Sequence, residues 1–161
     1  MFQRCYHKKH QRKDYIGCTI DSRFHRFADF ATWALEQIGA SSQGFEIDKD
    51  ILVRGNRVYG PDTCAFVPRE INKALTGCVR RRDMPNDLPL GVRKVPRKIE
   101  RQFCAEVSRN GKGVHLGYFD TAEQASLAYN VAKESIIKEL AKKHQSAIDP
   151  RVYVALMSYT A

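Results

Sequence analysis

No run of apolar residues in this 161-residue chain approaches the roughly 20 needed to cross a bilayer, so no membrane span is expected. The opening Met1-Phe2-Gln3-Arg4 lacks the apolar core of a secretory signal, which makes the cytoplasm the expected location. Cysteines number five, an odd count, and no two stand at metal-knuckle spacing. That argues against a disulfide framework and against a structural zinc site. Buried free thiols in a reducing compartment are the expectation instead.

Acidic residues are the other shortage: 18 Asp and Glu stand against 27 Lys and Arg, a net charge of +9. With 43% apolar and 28% charged residues the chain is composed like a folded protein. Its length suits one ordinary domain or two small ones. The charge is unevenly spread. Residues 1–78 carry 12 basic and 9 acidic groups, residues 79–112 carry 10 and 4, and residues 113–161 carry 5 and 5. Uniform solubilising charge would not concentrate in one short segment, whereas a surface facing a polyanion would.

The pattern along the chain predicts two units of mixed α+β character. Phe24, Phe27, Ala31, Ala34 and Ile38 recur at helical spacing, with Phe30 and Trp33 widening the face. This predicts a helix over 21–38, capped by Asp21 or Ser22 and ended by Gly39. A strand over 45–53, a turn at 54–57 and a return strand from Val58 follow. Cys64 to Val67 is a short apolar run, and Pro68 suits the first position of a helix carrying Ile71, Ala74 and Leu75. The result is a ββα unit. Arg80-Arg81-Arg82 and a proline-rich stretch mark a linker at 79–89. Beyond it, 90–95, 102–108 and 113–119 read as three strands, the last two joined by an Asn110-Gly111 turn. A helix begins at Thr121 with a capping-box pattern to Gln124. Its face carries Ala125, Ala128, Tyr129, Ala132, Ile136 and Leu140. The domains are thus expected at 1–78 and 90–145, with an unassigned tail over 146–161.

The second unit resembles the APETALA/ethylene-response-factor type of DNA-binding domain. The resemblance rests on Gly91-Val92-Arg93-Lys94, Phe103-Cys104-Ala105-Glu106-Val107, Leu116-Gly117-Tyr118-Phe119-Asp120-Thr121 and Ala128-Tyr129. It implies a three-stranded antiparallel sheet, backed by one helix, that enters the major groove of double-stranded DNA. Arg93, Lys94, Arg97, Lys98, Arg101, Arg109 and Lys112 are then the expected DNA-binding residues. Arg fits guanine O6 and N7 with two hydrogen bonds, while Lys98 and Lys112 suit phosphates, which position without reading sequence. The loop Pro96–Arg101 departs from the aromatic-rich turn of plant members, and no acidic or glutamine-rich activation segment is present.

The first unit resembles phage-encoded HNH endonucleases of the homing-like kind, in which such a unit precedes a DNA-binding domain of this type. The resemblance rests on Arg4-Cys5-Tyr6, Tyr15, Gly17, the Phe27/Phe30/Trp33 helix, Ile47-Asp48-Lys49-Asp50-Ile51, Gly55-Asn56, Tyr59-Gly60-Pro61-Asp62-Thr63-Cys64-Ala65-Phe66-Val67-Pro68 and Ile71-Asn72. It implies a double-stranded DNA endonuclease using a divalent ion, magnesium or manganese. Asp48, Lys49, Asp50 and Asn56 are the candidate catalytic residues, with Asp48 and Asp50 as hard oxygen ligands for the ion and Asn56 as the orienting amide. Lys49 stands where the relatives place a histidine and Thr63 where a second asparagine falls. An ordinary lysine is protonated near neutral pH and makes a poor base, so His7, His10 and His25 are alternatives for that role. A non-catalytic DNA-binding protein with a degenerate HNH unit is the competing expectation.

Overall fold

The computed structural model describes residues 1–7, 15–76, 88–95 and 102–161. It is an α+β protein whose contacts divide into two compact units. The first holds Met1–Arg69 with His144–Leu156, and the second holds Glu70–Lys143 with Met157–Ala161.

In the first unit the order is α1 (Phe2–Tyr6), β1 (Thr19–Ile20), a 3-10 turn (Ser22–Phe24), α2 (Phe27–Leu35), β2 (Phe45–Asp48), β3 (Val58–Tyr59) and β4 (Ala65–Pro68). The helix expected over 21–38 is broken. Asp21 accepts from the backbone N–H of Arg23 at 2.9 Å and closes the short turn, and Arg26 then takes an extended conformation before α2 begins. The break splits the aromatic row. Phe24 is buried and packs on Phe30 and Trp33 at ring distances of 5.2 and 4.7 Å. Phe27 is 80% exposed and lines an open apolar cleft with Met1, Phe2, Phe24, His25 and Phe30. The core of this unit gathers Cys5, Cys18, Ile20, Phe24, Tyr59 and Cys64. Those three cysteines, like Cys104 elsewhere, are buried and form no disulfide among the described residues.

The strand pairing also differs from the expected hairpin. β2 stops at Asp48 and pairs antiparallel with β4, Asp48 opposite Ala65 and Phe45 opposite Pro68. β3 pairs in parallel with β1 instead. Pro68 is therefore the last residue of β4, and α3 (Arg69–Thr76) begins one residue later. The tail forms α5 (Pro150–Met157), burying Val152 and Leu156. Asp149 accepts from the Arg151 N–H at 2.7 Å, and Pro150 occupies the first turn, where its missing N–H costs nothing.

In the second unit β5 (Val92–Lys94), β6 (Phe103–Arg109) and β7 (Lys112–Phe119) form an antiparallel sheet in the order β5-β6-β7. Asn110 and Gly111, both at positive φ, make the turn between β6 and β7. α4 (Ala122–Lys143) lies on one face of the sheet, and Val92, Ala105 and Ala125 form the buried centre of that contact. Thr121 caps the helix, its hydroxyl accepting from the Gln124 N–H at 3.2 Å. Ala125 and Ala128 are small enough to bring the helix close. Lys133, buried in α4, donates to the carbonyl of Ala74 on α3, and Lys143 pairs with Glu70 at 2.7 Å. A bulge between Ala105 and Glu106 leaves Leu116 as the extra residue of β7, and Gly117 beside it has φ 137°. A side chain there would be strained.

Candidate functional site

Two groups of residues carry chemistry, one in each unit. In the first unit, the loop leaving β2 gathers all four candidate residues. Asp48 ends the strand, and its Oδ1 accepts from the N–H groups of Asp50 and Ile51, both at 2.7 Å. This turn explains why the strand does not run on to Val53. Burial pushes the Asp48 carboxyl up, against the pull of those two N–H donors. Lys49 is only 7% exposed. Its ammonium donates to both carboxylate oxygens of Asp50 at 2.7 Å and to the carbonyl of Asn56 at 3.1 Å, with the Tyr59 ring 5.8 Å away. Asn56 spans the loop, donating to the carbonyls of Lys49 and Val58 at 2.7 Å and accepting from the Val58 N–H at 3.1 Å.

These contacts give each side chain a definite task. Asn56 holds the loop closed, Asp48 turns it, and Lys49 neutralises Asp50 inside it. Thr63 donates to Val58 O at 2.8 Å and belongs to the turn before β4. His25 sits within 3.1 Å of the Ile20 carbonyl through Nε2, and His10 lies outside the described residues. Among the described residues no group of three His, Cys, Asp or Glu is placed to hold a metal ion. A divalent ion on Asp50 would have to displace an ammonium already at 2.7 Å from both oxygens. As arranged, the Asp50 carboxylate is engaged by Lys49.

Asn56→Ala removes the side-chain donors to the Lys49 and Val58 carbonyls and the acceptor of the Val58 N–H, leaving Val58 O only its bond from Thr63, which is expected to cost about 1–3 kcal/mol. Urea denaturation checks this, and an unchanged midpoint would contradict the loop-closing role.

In the second unit the face of the sheet away from α4 is the candidate nucleic-acid interface. Alternation along the strands decides which residues share it. Arg93, Cys104 and Tyr118 stand side by side across the three strands. Beyond the bulge, Glu106 lies opposite His115, and Ser108 opposite Gly113. Ser108, Gly113, His115 and Tyr118 are exposed and Arg93 and Glu106 partly so. Cys104 is fully buried although it belongs to this face. His115 lies against it, Sγ to Nδ1 3.2 Å, and the His115 and Tyr118 rings are 4.7 Å apart. Glu106 extends over Gly113, where an added Cβ would meet its Oε1 at 2.1 Å.

The expected DNA-binding residues fall into three groups. Arg93 belongs to the open face. Lys94, Arg109 and Lys112 alternate toward the helix side, and Arg109 pairs there with Glu139 of α4 at 2.6 Å. Both members of that pair are about half exposed, and such a pair is worth about 0–1 kcal/mol, so a phosphate can compete for the guanidinium. Arg109 and Lys112 flank the turn at one end of the sheet and suit backbone contacts better than base reading. Arg97, Lys98 and Arg101 lie outside the described residues.

Selecting basic residues alone missed Glu106, His115 and Tyr118. The signal was present, since each alternates in phase with Arg93 once the strands are paired. The face carries an Arg fork, a carboxylate acceptor, an imidazole and a phenol, a mixed set able to address base edges. No helix among the described residues is long and apolar enough to cross a membrane. Compared with protein-family models, curated proteins and solved structures, the chain matches none.

Proposed function

We propose that the protein binds double-stranded DNA through the open face of the β5–β7 sheet, on the plan of the phage HNH endonucleases. The observation that carries this reading is the Arg93–Cys104–Tyr118 row with Glu106 and His115 on the face that α4 leaves uncovered. A twisted three-stranded sheet can enter a groove about 12 Å wide. The basic excess of residues 79–112 supplies the long-range attraction. Arg93 addresses guanine, Glu106 can accept from cytosine N4, and Lys112 with the turn end meets phosphates. A labelled-duplex band shift tests this. The expected result is salt-sensitive binding with a preferred sequence, and no binding at low salt would overturn it.

Metal-assisted phosphodiester hydrolysis by the first unit is the second reading. It is favoured by the gathering of Asp48, Lys49, Asp50 and Asn56 on one loop between β2 and β3, in the strand–strand–helix order of the HNH endonucleases. Magnesium or manganese is the ion that reading calls for, and the Lys49–Asp50 pair is what weighs against it. Plasmid nicking by protein already shown to bind the plasmid separates the two. Nicking that disappears in Asp48→Ala establishes hydrolysis. Binding with no nicking under either ion leaves DNA binding as the function and the loop as a scaffold.

A further inference from the structure

The contact between Cys104 and His115 has a chemical consequence at the open face. The sulfur lies on the central strand and is covered by the outward side chains around it. Arg93 and Tyr118 flank it in register, and His115 lies over it with Sγ and Nδ1 3.2 Å apart. Burial pushes the thiol up, outweighing the attraction of Arg93, so near neutral pH the sulfur carries its proton. Two acceptors are in reach: Nδ1 at 3.2 Å and the Ala105 carbonyl at 3.8 Å. The nearer is the ring nitrogen. A neutral imidazole that accepts at Nδ1 must hold its own proton on Nε2. Among the described residues the ring makes no other hydrogen bond. Tyr118 packs beside it, and the Glu106 carboxylate opposite is directed across Gly113.

We propose that Cys104 fixes the tautomer of His115, so that the open face presents an Nε2–H donor to a purine N7 in the major groove. The proposal rests on DNA binding through this sheet and adds a rule of base preference to it. N7 is an acceptor on both guanine and adenine, whereas cytosine offers a donor from N4 at the same edge. A fixed donor therefore rejects cytosine at one position; thymine O4 also accepts at this edge, and the contact assigned here is to a purine N7. His115 is the reading residue and Cys104 its positioning residue.

The test has two parts. In the free protein, two-bond ¹H–¹⁵N spectra of ¹⁵N-histidine-labelled material report which ring nitrogen is protonated. The expected result is the Nε2–H form of His115 in the parent and a mixture in Cys104→Ala. Cys104→Ser, which retains a donor, is expected to keep the parent's form and guards against a packing effect. A parent in the Nδ1–H form, or a Cys104→Ala spectrum identical to the parent, overturns the proposal. On DNA, the preferred duplex is compared with duplexes in which single purines are replaced by their 7-deaza analogues. One position is expected to lose about three- to tenfold in affinity for the parent, and that sensitivity is expected to vanish in His115→Phe. Sensitivity retained in His115→Phe, or absent in the parent, overturns it. Absence of any DNA binding by the parent removes the sheet reading itself, whereas binding with a tautomer indifferent to Cys104 removes this proposal alone.

Discussion

Gly91→Ala is expected to destabilise the second unit by about 2–5 kcal/mol, combining positive-φ strain with overpacking. Gly91 has φ 73°, which an alanine adopts only under strain, and the added Cβ would lie 2.1–2.8 Å from three ring atoms of Tyr129. Tyr129 is 4% exposed and sits on the buried face of α4, so its ring cannot swing into solvent without emptying the core beneath β5. Gly111→Ala is the control. Its φ is 76°, and nothing lies within 4 Å of the added carbon, so only the strain of about 1–2 kcal/mol remains. Denaturant titration of the two variants separates the contributions. Equal losses would mean that α4 does not press on the start of β5 as described.

The second large effect concerns Arg93. Arg93→Ala is expected to weaken binding to the preferred duplex by about 1–3 kcal/mol, the worth of one bidentate base contact, while weakening random duplexes much less. Lys112→Ala should instead weaken all sequences alike and lower the slope of log K against log salt by about 1. Arg109→Ala belongs with Lys112 in this comparison, because its guanidinium lies toward Glu139 and away from the row containing Arg93. Anisotropy titrations over a range of salt concentrations check all three. A uniform loss for Arg93→Ala on every duplex would remove its base-reading role.

The second unit was largely legible because its signals are local. Asn110-Gly111 dictates a tight turn, Thr121 a helix start, and the alanines of α4 a close helix–sheet contact. The observed strands differ from the expected ones mainly by a residue or two at their ends. The first unit was less legible, for two physical reasons. A run of aromatics at helical spacing cannot reveal that Asp21 will satisfy the Arg23 N–H and end the first turn early. Nor does the spacing of apolar residues show that Asp48 and Asn56 draw the chain into a closed loop, which sends Val58–Tyr59 to β1 and leaves β2 to β4. Side-chain to backbone bonds decided both outcomes. The tail carried its own signal in Asp149-Pro150, a cap followed by a first-turn proline.

The candidate sites divide in the same way. Asp48, Lys49, Asp50 and Asn56 are brought together as their proximity in sequence suggests, but the partners they choose depend on burial. Lys49 is enclosed and must be neutralised, and Asp50 is the carboxylate within reach. On the sheet, charge pointed to Arg93 but also to Arg109, whose partner on α4 becomes visible only once strand and helix are packed. His115 and Cys104 are eleven residues apart, and only the register of β6 against β7 joins them.

Amide chemical-shift mapping with a duplex carrying the preferred sequence tests the central claim most directly. DNA contact through the sheet predicts changes concentrated at Arg93, Cys104, Glu106, Ser108, Gly113, His115 and Tyr118. Leu127 and Val131, exposed on α4, should remain unmoved. Changes confined to α4 or to the first unit, with the sheet face silent, would contradict it.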